Sequence, residues 1–196
     1  SIEARTYKEK LRLRSYGTPG AEDHVFLEIK KKYKGVVYKR RVSLTLEKAM
    51  GYITGGEKPL ESQIMSEIDY AMHFYRQPQP SMMIAYERDA YFDKDIPTLR
   101  ITFDMNVRYR DHDLDLSHGH HGTLILPEDV MIMEVKTDGA MPVWLAHALD
   151  ECGILPISFS KYGTAYKMTC GFPPPDYIVH GVPECKTRGA DNRHAL

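Results

Sequence analysis

Apolar and polar positions change period several times along the chain, and the changes mark its elements. Alternation predicts strands at residues 7–16 (YKEKLRLRSY), 24–33 (HVFLEIKKKY) and 36–44 (VVYKRRVSL), separated by Gly17-Thr18-Pro19-Gly20 and Lys34-Gly35. Such short connections give an antiparallel meander. Thr45 can cap a helix over 46–54 that Gly55-Gly56 stops. A three- and four-residue spacing of Leu60, Ile64, Ile68, Ala71, Met72 and Tyr75 predicts a helix over 60–77, ended by Pro78 and Pro80. Strands resume at 81–88 and 97–109. A polar loop (110–121), a strand (130–137) and a helix (141–151) with Pro142 in its first turn follow. Residues 156–170 read as a turn, with Tyr162-Gly163-Thr164 at its centre, and a last strand. The tail 171–196, with Pro173-Pro174-Pro175, has no periodicity and reads as irregular. The elements sum to an α+β fold dominated by antiparallel strands.

Side chains alternate across a strand, so residue parity assigns each charge to a face. Lys8, Lys10, Arg12 and Arg14 oppose Leu11 and Leu13; Glu28, Lys30 and Lys32 oppose Val25, Leu27 and Ile29. Lys39 and Arg41 oppose Tyr38, Val42 and Leu44, with Arg40 out of pattern. Tyr86 pairs with Arg88; Thr98, Arg100, Thr102 and Asp104 oppose Leu99, Ile101 and Phe103; Glu134 and Lys136 oppose Met131, Met133 and Val135. Faces this rich in Lys and Arg repel themselves if left bare. With helices covering the apolar faces, the charged faces converge inside a closed barrel, and a bound polyanion relieves the cost of the unpaired charge. Arg forks and compact Lys charges suit phosphates.

Composition sharpens this picture. At 42% hydrophobic and 27% charged, the 196 residues are ordinary for one globular domain. The net charge of −1 conceals 13 Lys+Arg against 6 Asp+Glu in residues 1–50, and 13 against 21 in the rest. No apolar run spans a bilayer and no secretion signal is present, which predicts a cytoplasmic protein with Cys152, Cys170 and Cys185 as reduced thiols.

The runs KLRLRSYG (10–17), VFLEIKKK (25–32), YKRRV (38–42), AYER (85–88), LRITFD (99–104), IMEVK (132–136) and FSKYGTAY (159–166) together resemble the VTC domain. That family is the polyphosphate-polymerase branch of the triphosphate tunnel metalloenzymes. The resemblance implies a triphosphate tunnel domain over residues 1–170, an eight-stranded antiparallel barrel that here lacks N-terminal strands. The implied reaction moves the γ-phosphate of ATP onto a growing polyphosphate chain with Mn²⁺ or Mg²⁺. Arg12, Arg14, Lys30, Arg88, Arg100 and Lys136 would then serve the transfer. Lys10, Lys39, Arg41, Tyr86, Ser160 and Lys161 would bind phosphate, and Glu134 would ligate the metal. ATP and polyphosphate, or another polyanion, are the implied partners, with a membrane partner compatible with the family. The same electrostatics serve a non-catalytic polyphosphate sensor or a tripolyphosphate hydrolase.

Other features read more plainly. His118, His120 and His121, after Asp111, Asp113 and Asp115, lie in a glycine-broken loop without metal-ligand spacing. Met131, Met133 and Trp144 read as core. Glu28 reads as an ion-pair partner of its basic neighbours. The basic faces carry Tyr86 and little else aromatic, so no nucleic-acid partner is expected.

Overall fold

A computed structural model describes residues 7–174. Its strands are β1 (Tyr7–Arg14), β2 (His24–Tyr33), β3 (Val36–Thr45), β4 (Met83–Phe92), β5 (Arg100–Arg110), β6 (Thr123–Leu124) and β7 (Ile132–Lys136). Its helices are α1 (Leu46–Ile53), α2 (Gln63–Phe74), α3 (Val143–Glu151) and α4 (Lys161–Thr169). The fold is α+β with antiparallel sheets. Among the described residues the strands form one sheet of three (β1-β2-β3) and one of four (β4-β5-β6, with β7 also on β5), and no closed barrel. The chain divides into two compact units. One holds the residues up to Ala85 with Arg108–Thr123; the other holds Tyr86–Val107 with the residues from Leu124 onward.

The first unit is built on the meander. Lys34 and Gly35 both take positive φ (46° and 87°), the two-residue reversal that matches the twist of paired strands. It fixes the register Tyr33↔Val36 through His24↔Thr45, and β1 adds Tyr7↔Tyr33 through Arg14↔Phe26. Leu11 and Leu13 therefore share a face with Val25, Leu27, Ile29, Val42 and Leu44. Helices α1 and α2 cover that face with Leu46, Ala49, Tyr52, Ile53, Met65, Ile68, Ala71 and Met72. Each fully buried aliphatic side chain here contributes about 1.5–3 kcal/mol. Thr45 caps α1 through Oγ1, which accepts from the Lys48 amide. Arg40, the residue out of pattern, turns towards α2 and comes within 4.0 Å of Glu67.

Three expectations change here. The second helix begins at Gln63, because Ser62 Oγ accepts from the Met65 amide and sets the first turn. Its buried stripe runs through Met65, while Tyr75 is exposed and donates its hydroxyl to Glu9 Oε2 at 2.9 Å. The segment read as a turn and strand at 156–170 is helix α4, capped by Ser160 Oγ accepting from the Gly163 amide at 3.1 Å. A Cβ at Gly163 would lie 3.2 Å from that Oγ, so glycine here serves a tight cap rather than a reversal. Pro142 stands at the N-cap of α3, just before its first turn.

In the second unit Leu99, Val107, Ile125, Leu126, Leu145 and Ala165 are buried. Met131 and Trp144, expected in the core, are 52% and 53% exposed. Met131 precedes β7, and Trp144 sits on the outer side of α3, whose buried residue is Leu145. Asn106, at φ 50°, interrupts the alternation of β5, and Val107 after it is buried. Among the described residues no helix is long and apolar enough to cross a membrane. Cys170 is a free thiol; Cys185 and the tail from residue 175 lie outside the described residues.

Candidate phosphate-binding site

The uncovered face of the first sheet collects the basic residues. Register places Lys10, Lys30 and Lys39 in one cross-strand row, with Lys8 and Lys32 to one side. On the other side stand Arg12, Glu28 and Arg41, followed by Arg14, Phe26 and Ser43. Like charges directly opposite one another destabilise a sheet, and here three ammonium groups adjoin. Lys10 shows the effect: crowding strips some water from its ammonium, and the charges of Lys30, Lys8 and Arg12 add to that, holding its pKa below the usual lysine value.

Glu28 is the counter-charge on this face, and at 2% exposure it is buried among the bases. Its Oε2 accepts from Arg12 Nε at 3.0 Å and Nη2 at 2.5 Å. Its Oε1 lies 3.1 Å from Lys39 Nζ, near enough for an ion pair but without a directed hydrogen bond. Burial pushes the Glu28 carboxyl up; the bonds from Arg12 and the charge of Lys39 outweigh it and hold the group below the usual carboxylate range. Beyond Glu28 the face is more aromatic than expected. The Arg41 guanidinium lies 4.7 Å from the Phe26 ring centre and that of Arg14 lies 4.6 Å from Tyr16. The two rings meet edge to face at 5.9 Å.

The second unit carries its own cluster. Register on β5 and β7 pairs Arg100 with Lys136, Thr102 with Glu134 and Asp104 with Ile132, so the expected face is formed. Asp104 is fully buried at its centre. Arg88 grips it with both arms of its fork, Nε to Oδ1 at 2.5 Å and Nη2 to Oδ2 at 2.7 Å. Lys161 Nζ closes from α4, 2.5 Å from Oδ2. Burial raises the Asp104 carboxyl, but Arg88 and Lys161 together drive it below its ordinary value. Glu134 stands more loosely: Lys161 Nζ and Arg88 Nη2 lie 3.6 and 3.8 Å from Oε1, and Lys136 Nζ lies 3.6 Å from Oε2. The Tyr86 ring centre is 4.9 Å from Lys161 Nζ and 5.1 Å from the Arg88 guanidinium carbon. Arg100 sits over Phe92, and its buried Nε and the buried Thr102 Oγ1 have no hydrogen-bond partner among the described residues.

The expected residues thus gather as two sets. Lys10, Arg12, Arg14, Lys30, Lys39 and Arg41 share the first unit's open face; Tyr86, Arg88, Arg100, Glu134, Lys136 and Lys161 belong to the second unit's cluster. Ser160 differs, since its hydroxyl accepts the cap bond of α4. Sequence reasoning missed Asp104 as an anchor, although its parity with Arg100 and Thr102 put an acid on a basic face.

A family model described as the VTC domain matches residues 1–170. The chain belongs to the VTC domain family. Membership fits a polyphosphate-related function. No curated protein matches the chain.

Two further features of this VTC domain bear on metal binding. At the end of β5, Arg110 is 2% exposed and donates to the carbonyls of Asp113, Asp115, Gly119 and His121 in the loop that follows, at 2.6–3.0 Å. Asp113 there takes an ion pair from His118 Nδ1 and stands 3.5 Å from His121 Nε2. Among the described residues no group of three or more His, Cys, Asp or Glu is disposed to hold a metal. Mg²⁺ and Mn²⁺ sites commonly use one or two carboxylates and take their remaining oxygens from phosphate and water. Glu134 fits that arrangement, because its contacts are all 3.6 Å or longer, whereas Asp104 is saturated.

Proposed function

We propose that this VTC domain is a polyphosphate-polymerase-like phosphotransferase that moves the γ-phosphate of ATP onto a growing polyphosphate chain. The observation carrying this reading is the row Lys10–Lys30–Lys39 beside Arg12 and Arg41, an open cationic face that a chain of phosphates neutralises. The reading takes the family's triphosphate tunnel as its fold, with phosphates lying along basic strand faces.

Phosphoryl transfer asks the protein for positioning and charge neutralisation rather than covalent work. A terminal oxygen of the chain attacks the γ-phosphorus, the bond to the bridging oxygen of the β-phosphate breaks, and ADP leaves. Arg12 and Arg14 grip nucleotide phosphates, and Lys10, Lys30, Lys39 and Arg41 hold the neighbouring units. Arg88, Arg100 and Lys136 balance charge in the cluster of the second unit, with Tyr86 and Lys161 beside them. Ser160 contributes through the cap that fixes the start of α4. A divalent cation at Glu134 supplies charge neutralisation on the phosphates when bound.

One observation favours a second reading, binding without turnover: both oxygens of Glu134 already face guanidinium or ammonium groups. Incubation with ATP and Mn²⁺, assaying polyphosphate, ADP and free phosphate together, separates the readings. A polymerase yields polyphosphate and ADP in step. Free phosphate in step with ADP identifies a hydrolase, and tight tripolyphosphate binding without any product identifies a sensor.

A further inference from the structure

Each unit buries one carboxylate in its basic face, and each carboxylate is tied to one guanidinium and one ammonium group. Glu28 takes Arg12 and Lys39; Asp104 takes Arg88 and Lys161. Neither acid lies at a sheet edge or on an apolar face, where an ion pair would serve packing alone. Glu28 stands between Arg12 and Arg41 in the register, next to the lysine row. Asp104 stands on the same face of β5 as Thr102 and Arg100, whose buried Oγ1 and Nε have no hydrogen-bond partner among the described residues. The acids occupy the place that a phosphate oxygen would take against these cations.

We propose that Glu28 and Asp104 are resident surrogates for phosphate: they hold the Arg–Lys pairs in place and compete with the incoming polyanion for them. The proposal rests on the polyphosphate reading and specifies how that site sets its affinity. Without an internal anion, the cations repel one another in the empty protein and bind a polyanion too tightly for a chain to advance. With it, part of the cationic field is already neutralised, and each phosphate must displace an existing bond. The geometry of Glu28 suits such exchange, since Oε1 meets Lys39 without a directed hydrogen bond and both Arg12 and Lys39 are half-exposed. Both carboxyls are held below the usual range, so they stay ionised at neutral pH.

The test uses neutral isosteres, Glu28→Gln and Asp104→Asn, with tripolyphosphate and no metal. Calorimetry at two salt concentrations gives affinity and its salt dependence, and thermal unfolding is followed with and without ligand. We expect tripolyphosphate to bind Glu28→Gln about three- to tenfold more tightly than wild type, the size of one partly screened charge. The salt dependence should steepen, and the melting temperature lost in the free variant should return with ligand. A carboxylate with a purely structural role predicts the reverse, weaker binding with the salt dependence unchanged. Unchanged or weaker binding in Glu28→Gln overturns the proposal while leaving the phosphate site standing. Absence of binding by wild type removes both. Should Asp104→Asn lose cooperative unfolding, Glu28→Gln decides, because its partners reach water.

Discussion

At the scale of single residues, function and stability separate by what each polar group loses when its partner goes. Tyr52 is buried and donates its hydroxyl to Asp69 Oδ1 at 2.8 Å; burial, then the bond to Asp69, pushes the phenol well above its usual value. Tyr52→Phe keeps the ring and removes the donor, so it should lower stability by about 1 kcal/mol in urea unfolding without altering tripolyphosphate affinity. Glu134→Gln tests the opposite class. On the proposed reading it removes a metal-binding oxygen and no cation, so turnover with ATP and Mn²⁺ should fall at least about 100-fold while metal-free tripolyphosphate binding stays near wild type. Equal loss of both would show that Glu134 organises the cluster instead. Which cations share a face was legible in the sequence, because alternation belongs to any strand: Lys10, Lys30 and Arg12 needed only parity. Asp104 and Arg110 were not legible. Asp104 owes its importance to Lys161 on α4, far along the chain, and Arg110 to the carbonyls of residues 113–121 in the loop that follows it; strand alternation encodes neither.

At the scale of elements, the meander and first helix follow their local signals closely, and the departures have local causes. Helix α4 was misread because Gly163 resembles a turn residue, when Ser160 three positions earlier makes it part of a cap. The loop after β5 read as a polar, glycine-broken segment rich in His and Asp, yet Arg110 organises it. Arg110→Met should leave four carbonyls without their donor and cost about 3 kcal/mol or more, with fast amide exchange through residues 111–121. Unchanged exchange there would contradict the scaffold role. The same loop carries a pH-sensitive pair. Asp113 raises the His118 pKa from near 6.5, so this stabilisation is complete below that value and is lost as pH rises through the raised one. The bond from His118 lowers the Asp113 pKa from 3.8, so its share is complete above that value and is lost as pH falls through the lowered one. The advantage of wild type over His118→Asn in melting temperature should therefore be largest between the two, near pH 5.5, and absent at pH 9. Equal differences at both would sink the ion-pair assignment.

At the scale of the whole molecule, a net charge of −1 gives no hint of a polyanion site; the asymmetry does, with 13 Lys+Arg against 6 Asp+Glu in the first fifty residues. Much of that excess falls on one face of β1–β3, with apolar side chains and two helices on the other. The parity pattern led to a closed barrel, yet among the described residues the strands form a sheet of three and a sheet of four, because closure depends on how sheets meet rather than on the pattern within a strand. The central claim is that the face around Lys10, Lys30 and Lys39 holds a chain of phosphates, and thermal unfolding of wild type and Lys30→Ala with tripolyphosphate tests it most directly. Lys30 is exposed at the centre of the row and is not buried against the core, so its truncation should leave the free protein's melting temperature nearly unchanged. Millimolar tripolyphosphate should raise the wild-type melting temperature by several degrees, less in high salt, and by a clearly smaller amount in Lys30→Ala. No shift in wild type at low salt, or an equal shift in both proteins, would contradict the account.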